Sequence, residues 1–248
     1  MSKAIFRNTL GGTALLASGV LLGTTPAQAQ LVLDGEVTFE LAHNNDTSVN
    51  TKHIGGSFSG LVWNDFGLQL DLSVGKHEQY TSTQPAATLH LFHAPNEALT
   101  WGLFLAAEDR RPGNSYFWGA EVAWQSEGFG LEAFAAYRDD ISASTDGTRF
   151  GLEASYRPDG ADWTLFAGYA ADDGAPLEQR YGYLGATYEI REGIALGLSA
   201  GRNDEGDTIA SALVSFTFGD GSRLRARDTM ELFPGARETE TAPVITPP

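Results

Sequence analysis

Three glutamates at comparable places in successive segments are the first residues whose chemistry needs explaining. Glu121, Glu132 and Glu153 stand in segments where apolar and polar side chains alternate. Carboxylates gathered at one depth of a narrow, low-dielectric space attract cations. They also form ion pairs with nearby bases. The bases in or beside these segments are Arg138, Arg149 and Arg157. Carboxylates without partners would select cations, whereas carboxylates paired with these arginines would only fill a closed interior.

Paired carboxylates also serve glycoside hydrolysis, as general acid and as base or nucleophile. Nothing else in the sequence supports that reaction. Such pairs also arise by chance wherever many acidic side chains share one enclosed space. A serine hydrolase is not indicated either, since no G-x-S-x-G elbow is present. We therefore predict that the protein is not an enzyme.

His53, His77 and His90 are weak candidates for zinc ligands, with Asp46 or Glu78 completing a site. Histidines near loops are more often simply solvated. The chain contains no cysteine, which removes thiolate ligands and disulfides. We predict no metal and no other cofactor.

The composition is acidic, with a formal net charge of −16 over 248 residues. Nucleic-acid binding demands a basic face, so nucleic acid is not a predicted partner. Hydrophobic residues make up 42% of the chain and aromatic residues 11%, which is enough apolar content for a large ordered structure.

The first residues have the pattern of an export signal. Lys3 and Arg7 precede an apolar run at 11–23, and Ala27-Gln28-Ala29 forms a small-x-small cleavage site. We predict a signal peptide at 1–29 and a mature chain beginning at Gln30. The alternative is an uncleaved anchor in the inner membrane, for which the apolar run is short.

The segment 116–138 indicates which elements would position the glutamates. Its arms, 116–125 and 129–138, are joined by Ser126-Glu127-Gly128, a loop short enough to force antiparallel pairing. Alternate side chains of a strand face opposite ways. One face carries Tyr116, Trp118, Val122, Trp124, Phe129, Leu131 and Tyr137. The other face carries Glu121, Gln125, Glu132 and Arg138. An apolar face ending in aromatics, with charge on the reverse, is typical of a hairpin in an outer-membrane barrel.

The same alternation recurs along the chain and predicts about twelve strands. They are placed at 32–42, 53–63, 66–76, 87–93, 99–107, 116–125, 129–138, 148–157, 163–171, 181–190, 194–202 and 208–218. Tight turns rich in Gly, Asn, Asp and Pro alternate with longer polar loops. That rhythm, with an even strand number, predicts an all-β, transmembrane, antiparallel up-and-down barrel over 30–218, with both chain ends in the periplasm.

Strand parity then sorts the side chains between lumen and lipid. The predicted pore-lining residues are Asp34, Glu36, Glu40, Asp71, Glu121, Glu132, Arg138, Arg149, Glu153, Arg157 and Glu189. Aromatic rings prefer the headgroup layers of a bilayer. The predicted membrane girdles contain Trp63, Trp101, Trp118, Trp124, Tyr137, Tyr156, Trp163, Tyr169 and Tyr181.

The alternating pattern stops after Phe218. Residues 219–248 contain the run Arg223-Leu-Arg225-Ala-Arg227 and end in a Thr- and Pro-rich stretch. We predict a periplasmic, largely disordered tail. A sharper hypothesis is that these arginines dock on the acidic periplasmic mouth of the barrel or on a cell-wall partner.

Together, the signal peptide, the strands of about ten residues, the turn-and-loop alternation and the girdles resemble the bacterial outer-membrane porin-like barrels. The resemblance covers about 31–218 and is architectural, so it implies the fold and not a subfamily. It implies an outer-membrane location, with membrane lipid, small solutes and the barrel-assembly machinery as partners. Twelve-stranded members include nucleoside and acidic-oligosaccharide channels, an outer-membrane phospholipase and autotransporter domains. The acidic lumen departs from the basic lining that acidic sugars need, and no autotransporter passenger is present.

The sequence thus predicts a channel for passive diffusion of small cationic or neutral solutes. The alternatives are a closed structural or adhesive barrel whose acidic loops bind cations or surface partners, and a soluble periplasmic β-protein.

Overall fold

The computed structural model describes residues 33–79, 82–110, 113–140, 145–174, 178–225 and 228–234. The predicted signal peptide, Arg227 and residues 235–248 lie outside these ranges. Within them, no helix is long and apolar enough to cross a bilayer.

Twelve antiparallel strands close into one barrel in which each strand pairs with its sequence neighbours and β1 pairs with β12. The strands are Asp34–Asn44 (β1), Val49–Trp63 (β2), Phe66–His77 (β3), Gln84–Asn96 (β4), Leu99–Arg110 (β5), Gly113–Ser126 (β6), Phe129–Asp140 (β7), Thr145–Tyr156 (β8), Trp163–Asp173 (β9), Gln179–Arg191 (β10), Ile194–Asn203 (β11) and Thr208–Phe218 (β12). A short helix, Thr229–Leu232 (α1), follows. The predicted all-β barrel class and strand number are confirmed.

Closure leaves no unpaired edge, because the first and last strands join along their whole length. The β1–β12 register runs from Gly35 opposite Phe218 to Asn44 opposite Ile209. The tight turns that join β2–β3, β4–β5, β6–β7, β8–β9 and β10–β11 lie at one end, here called the short-turn end. At the β6–β7 turn, Glu127 and Gly128 have φ values of 46° and 81°, the left-handed conformation of a two-residue hairpin.

Several strands extend beyond their predicted limits at the opposite end, here called the loop end. β2 begins at Val49, β6 begins at Gly113 and β7 continues to Asp140. These extensions consist mainly of polar residues, so their sequence resembles that of a loop. Backbone pairing continues because polar side chains can bond to one another inside the barrel, as Ser115 does by donating to Asp140.

The outer surface is apolar and the interior holds the charges, the inverse of a soluble sandwich. Trp63 is 71% exposed, and Trp101, Leu103 and Leu105 are also exposed on the outer face. Most predicted girdle residues lie on this face: Trp63, Trp101, Trp118, Trp124, Tyr137, Tyr156, Trp163 and Tyr169. Tyr181 does not, because it is 3% exposed and points into the lumen, so its placement in the girdle was wrong.

Candidate functional site in the barrel lumen

Strand alternation turns most of the predicted pore-lining residues toward the lumen. Asp34, Asp71 and Glu121 are buried there, whereas Glu132 and Glu153 are partly accessible. Glu36 and Glu40 line an internal cavity. The carboxylates are therefore spread over the wall, and their partners decide what each of them does.

Two buried arginines dominate the half of the lumen nearer the loop end. Arg149 is 1% exposed, with Nη1 lying 2.7 Å from Glu108 Oε1 and Nη2 lying 2.8 Å from Asp172 Oδ2. Arg138 also pairs with Asp172, and its Nε lies 2.9 Å from Asp140 Oδ2. Buried charges are tolerated only when paired and hydrogen-bonded in this way.

The three acids of this network were not predicted, because Glu108, Asp140 and Asp172 lie beyond the ends of the predicted strands 99–107, 129–138 and 163–171. Each lies on a strand extension, with the parity of an inward neighbour such as Ala106, Arg138 or Ala170. Continuing the alternation by one or two residues would have found all three.

A second buried cluster centres on His90, which is fully buried. Its Nδ1 lies 2.5 Å from Glu121 Oε1 and its Nε2 lies 2.7 Å from Asp71 Oδ2. Gln69 Nε2 donates to Asp71 Oδ1 at 2.9 Å. Both ring nitrogens donate when each carries a proton, so the cluster is satisfied as an imidazolium between two carboxylates.

The candidate zinc ligands are not brought together. His90 uses both nitrogens in this cluster, His53 lies beside Asp228, and His77 accepts the N–H of Gln79 at 3.4 Å. Among the described residues, no group of three or more His, Asp or Glu side chains is placed to hold a metal ion.

The chain after β12 enters the lumen, and its described residues, 219–225 and 228–234, are called the internal segment. The predicted disordered periplasmic tail is corrected for these residues, while 226–227 and 235–248 lie outside the described ranges. Gln69 holds the segment's start. Its Oε1 accepts the N–H groups of Arg223 and Leu224, both at 3.1 Å, and its Nε2 donates to the Leu224 carbonyl at 2.5 Å.

Charged contacts continue along the internal segment. Arg225 pairs with Glu153, its Nη2 lies 3.3 Å from Glu231 Oε1, and its backbone N–H donates to Glu132 Oε1 at 3.0 Å. Of the three arginines expected to dock, Arg225 thus meets wall carboxylates, whereas Arg223 pairs with Asp220.

Asp228 and Thr229 join the internal segment to the wall at greater depth. Asp228 Oδ1 lies 3.4 Å from His53 Nε2. Burial alone would raise the pKa of Asp228, but the adjacent His53 holds that pKa below its usual range. Thr229 Oγ1 donates to Glu108 Oε2 and accepts from Arg149 Nη2, both at 2.6 Å.

The segment ends in an apolar cluster. Strand parity alone could have indicated the wall residues of this cluster, although not those of the segment. Leu232 and Phe233 belong to a buried cluster that also holds Phe104, Phe117 and Phe134 from the wall. The Arg149 guanidinium lies 3.9 Å above the Phe117 ring centroid and 5.9 Å from that of Phe233. These inward phenylalanines alternate with the outward residues of their own strands, so part of the lumen is a small hydrophobic core.

If Gln69 anchors the internal segment, Gln69→Met should loosen it without disturbing the outer surface. The variant leaves the N–H groups of Arg223 and Leu224 without their acceptor, at a cost of about 1–3 kcal/mol for each group that stays buried. We expect amide exchange across 220–225 to be at least tenfold faster, as measured by hydrogen–deuterium exchange mass spectrometry. The control Gln79→Met alters an exposed turn and should leave exchange unchanged; equal rates in both variants would contradict the anchoring role.

The internal segment leaves two adjoining spaces. The first, called the lateral cavity, has a volume of about 350 Å³ and lies against β1, β2 and β8–β12. The second, of about 270 Å³, opens at the short-turn end beside Glu97, Gln125 and Asp220. Both are lined by Glu153, Ser155 and Ser222, so together they follow one side of the lumen.

The remaining predicted pore-lining pair lies at the rim. Arg157 follows the last residue of β8, is 50% exposed, and donates from Nη2 to Glu189 Oε2 at 2.8 Å. Its predicted place inside the pore was wrong, because the strand ends one residue earlier and the side chain turns toward solvent.

Solved structures of outer-membrane porins share this fold. The NanC porin aligns with a TM-score of 0.62 at 10% identity, covering 73% of this chain and 100% of that one. The KdgM porin aligns with a TM-score of 0.59 at 11% identity, covering 74% and 99%. A structure of KdgM porin in complex with disordered oligogalacturonate gives a TM-score of 0.56 at 11% identity, covering 74% and 99%. No protein-family model and no curated protein sequence matches the chain. The chain therefore has the porin-like transmembrane β-barrel fold, as the sequence predicted.

Proposed function

We propose that the protein is an outer-membrane channel for passive diffusion of small cationic or neutral solutes. The observation that carries the proposal is the space on one side of the lumen, where the lateral cavity adjoins the cavity at the short-turn end. The apolar outer surface and the porin-like fold support an outer-membrane location, with lipid and small solutes as partners.

The charge of this space supports cations over anions. Glu36, Glu40, Glu153 and Glu231 line the lateral cavity, together with Arg225 and His53. Arg225 is engaged by Glu153 and Glu231, and His53 by Asp228. Glu36 and Glu40 accept hydrogen bonds from Ser215 and Ser211, which bring no compensating charge. The low-dielectric wall strengthens the field of these carboxylates.

A solved complex of the KdgM porin contains oligogalacturonate, an acidic oligosaccharide. An acidic oligosaccharide would meet like charge at Glu36 and Glu40, and the internal segment narrows the path. We therefore propose small solutes without net negative charge.

Ion selectivity in planar bilayers tests this function. Across a KCl gradient, the reversal potential of the wild-type protein should show preference for potassium. The double variant Glu36→Gln/Glu40→Gln should lose most of that preference, because it removes two lumen carboxylates that form no ion pair with a described cation. Glu192→Gln is the matched control, since Glu192 is exposed in the β10–β11 turn.

One structural feature favours the second candidate function, a closed structural or adhesive barrel. The internal segment and the buried ion pairs fill much of the lumen near the loop end. Absence of conductance, both for the full chain and after removal of the internal segment, would establish the closed barrel. Anion preference would contradict the proposed selectivity.

A further inference from the structure

The wall of the lateral cavity on β9 and β10 is aromatic. The rings of Tyr181 and Tyr183 stack with centroids 5.4 Å apart at 21°, and Phe166 meets Tyr183 edge-on at 6.2 Å. All three residues line the cavity. Their rings lie flat over glycines of adjacent strands, since a Cβ built on Gly201 would fall 2.4 Å from the Tyr181 ring and one on Gly168 would fall 2.4 Å from that of Tyr183. Because these glycines have no side chains, the rings lie close to the barrel wall and the space beside them stays free.

The Tyr181 hydroxyl is a cavity group whose role the fold does not explain. The residue is 3% exposed, and its oxygen has no hydrogen-bond partner among the described residues. A buried hydroxyl without a partner is unfavourable, so such a group points to something that binds there. Glu40 lies close enough to interact with it electrostatically.

Glu36 and Glu40, on β1, line the same cavity. Neither forms an ion pair with a described cation, and the hydrogen-bond donors they have are the serine hydroxyls of Ser215 and Ser211. Three aromatic rings and two carboxylates therefore line one space of about 350 Å³, which lies within the usual range for small-ligand pockets.

We propose that the lateral cavity is a binding site for a small organic cation, an ammonium group on an apolar body. The ammonium would donate to Glu40 and the Tyr181 oxygen, Glu36 would add a second negative charge along the same cavity, and the apolar body would lie against Tyr181, Tyr183 and Phe166. Aromatic faces attract cations, and carboxylates complete the recognition. The inference rests on the proposed function and deepens it, because such a site lies along the path that the solute would take.

Binding to the detergent-solubilised full chain tests the site without requiring transport. The probe is benzylammonium, with benzyl alcohol and benzoate as matched compounds of equal shape, measured by isothermal titration calorimetry. We expect saturable binding of benzylammonium with one site per chain, and binding at least tenfold weaker for both other compounds. Glu40→Gln and Tyr181→Leu should each weaken benzylammonium binding about tenfold or more, while Glu192→Gln should leave it unchanged.

Tyr181→Phe keeps the ring and removes only the hydroxyl, so it separates folding from recognition. It should fold as the wild type does and weaken binding by a smaller factor than Tyr181→Leu. Equal binding of benzyl alcohol and benzylammonium, or unchanged binding in a folded Glu36→Gln/Glu40→Gln variant, would overturn the proposal. So would absence of saturable binding to the wild type.

The two proposals fail separately. A protein that conducts potassium but does not bind benzylammonium retains the proposed channel function and loses the site. A protein that binds benzylammonium but gives no conductance retains the site and loses the channel function.

Discussion

Truncation of the chain before Ser222 is expected to raise single-channel conductance several-fold. The truncated chain keeps the complete β1–β12 pairing and the N–H of Asp220 that donates to Asp34 Oδ1 at 3.0 Å. It loses the part of the internal segment that bonds to Gln69, beside the His90 cluster, and the part that packs in the apolar cluster. The cross-section available to ions therefore grows along most of the lumen, as planar-bilayer recordings in symmetric KCl would measure.

A full-length variant guards against a folding defect in the truncated chain. Phe233→Asp places a carboxylate in the apolar cluster of Phe104, Phe117 and Phe134, where an unpaired charge is strongly unfavourable. The internal segment should leave the lumen, and conductance should rise toward that of the truncated protein. A chain ending at Pro234 is the control, because it retains every described contact of the segment. Unchanged conductance in both folded variants would show that the segment does not obstruct the pore.

Strand parity predicted much of the fold and of the wall. Alternation predicts the barrel and its strand number, because successive residues of a barrel strand face lipid and lumen in turn. It also predicts the outward Trp101 and Leu103 and the inward Asp71 and Glu121. The girdle assignment that ignored parity, that of Tyr181, was wrong. Tyr181 was assigned to the girdle because it is an aromatic near a loop, although it shares the inward parity of Tyr183.

The internal segment was not predictable in the same way. Its partners are far away in the sequence: Thr229 meets Glu108 across 121 positions, and Leu224 meets Gln69 across 155. No local periodicity records such contacts, and an Arg-, Pro- and Thr-rich composition is typical of disorder. The predicted docking of arginines on an acidic mouth relied on charge alone, and charge could not indicate that Leu232 and Phe233 would follow into the lumen.

The buried ion-pair network explains how the segment and the barrel wall depend on one another. Arg149 contacts Glu108, Asp172 and Thr229 at once, so one guanidinium joins β5, β8, β9 and the internal segment. Asp172 is shared with Arg138, which extends the network to β7. A change at Arg149 should therefore affect both stability and the position of the segment.

Replacement of Arg149 by Met is expected to lower the free energy of unfolding by about 3–5 kcal/mol. The variant keeps a long apolar side chain over Phe117 but leaves Glu108 and Asp172 with less compensation in a buried site. Urea unfolding of the protein in lipid vesicles, followed by tryptophan fluorescence, measures the change. Arg157→Met removes the exposed pair with Glu189 and should cost at most about 1 kcal/mol.

The triple variant Arg149→Met/Glu108→Gln/Asp172→Asn distinguishes the loss of the ion-pair attraction from the cost of leaving two buried carboxylates without their arginine. Neutral amides no longer require a buried cation, so much of the stability lost in the single variant should return. The internal segment should remain loosened, because Thr229 has lost its arginine donor and its carboxylate acceptor. If Arg149→Met proves as stable as Arg157→Met, then the network does not hold the barrel together, and the other contacts of the internal segment retain it in the lumen.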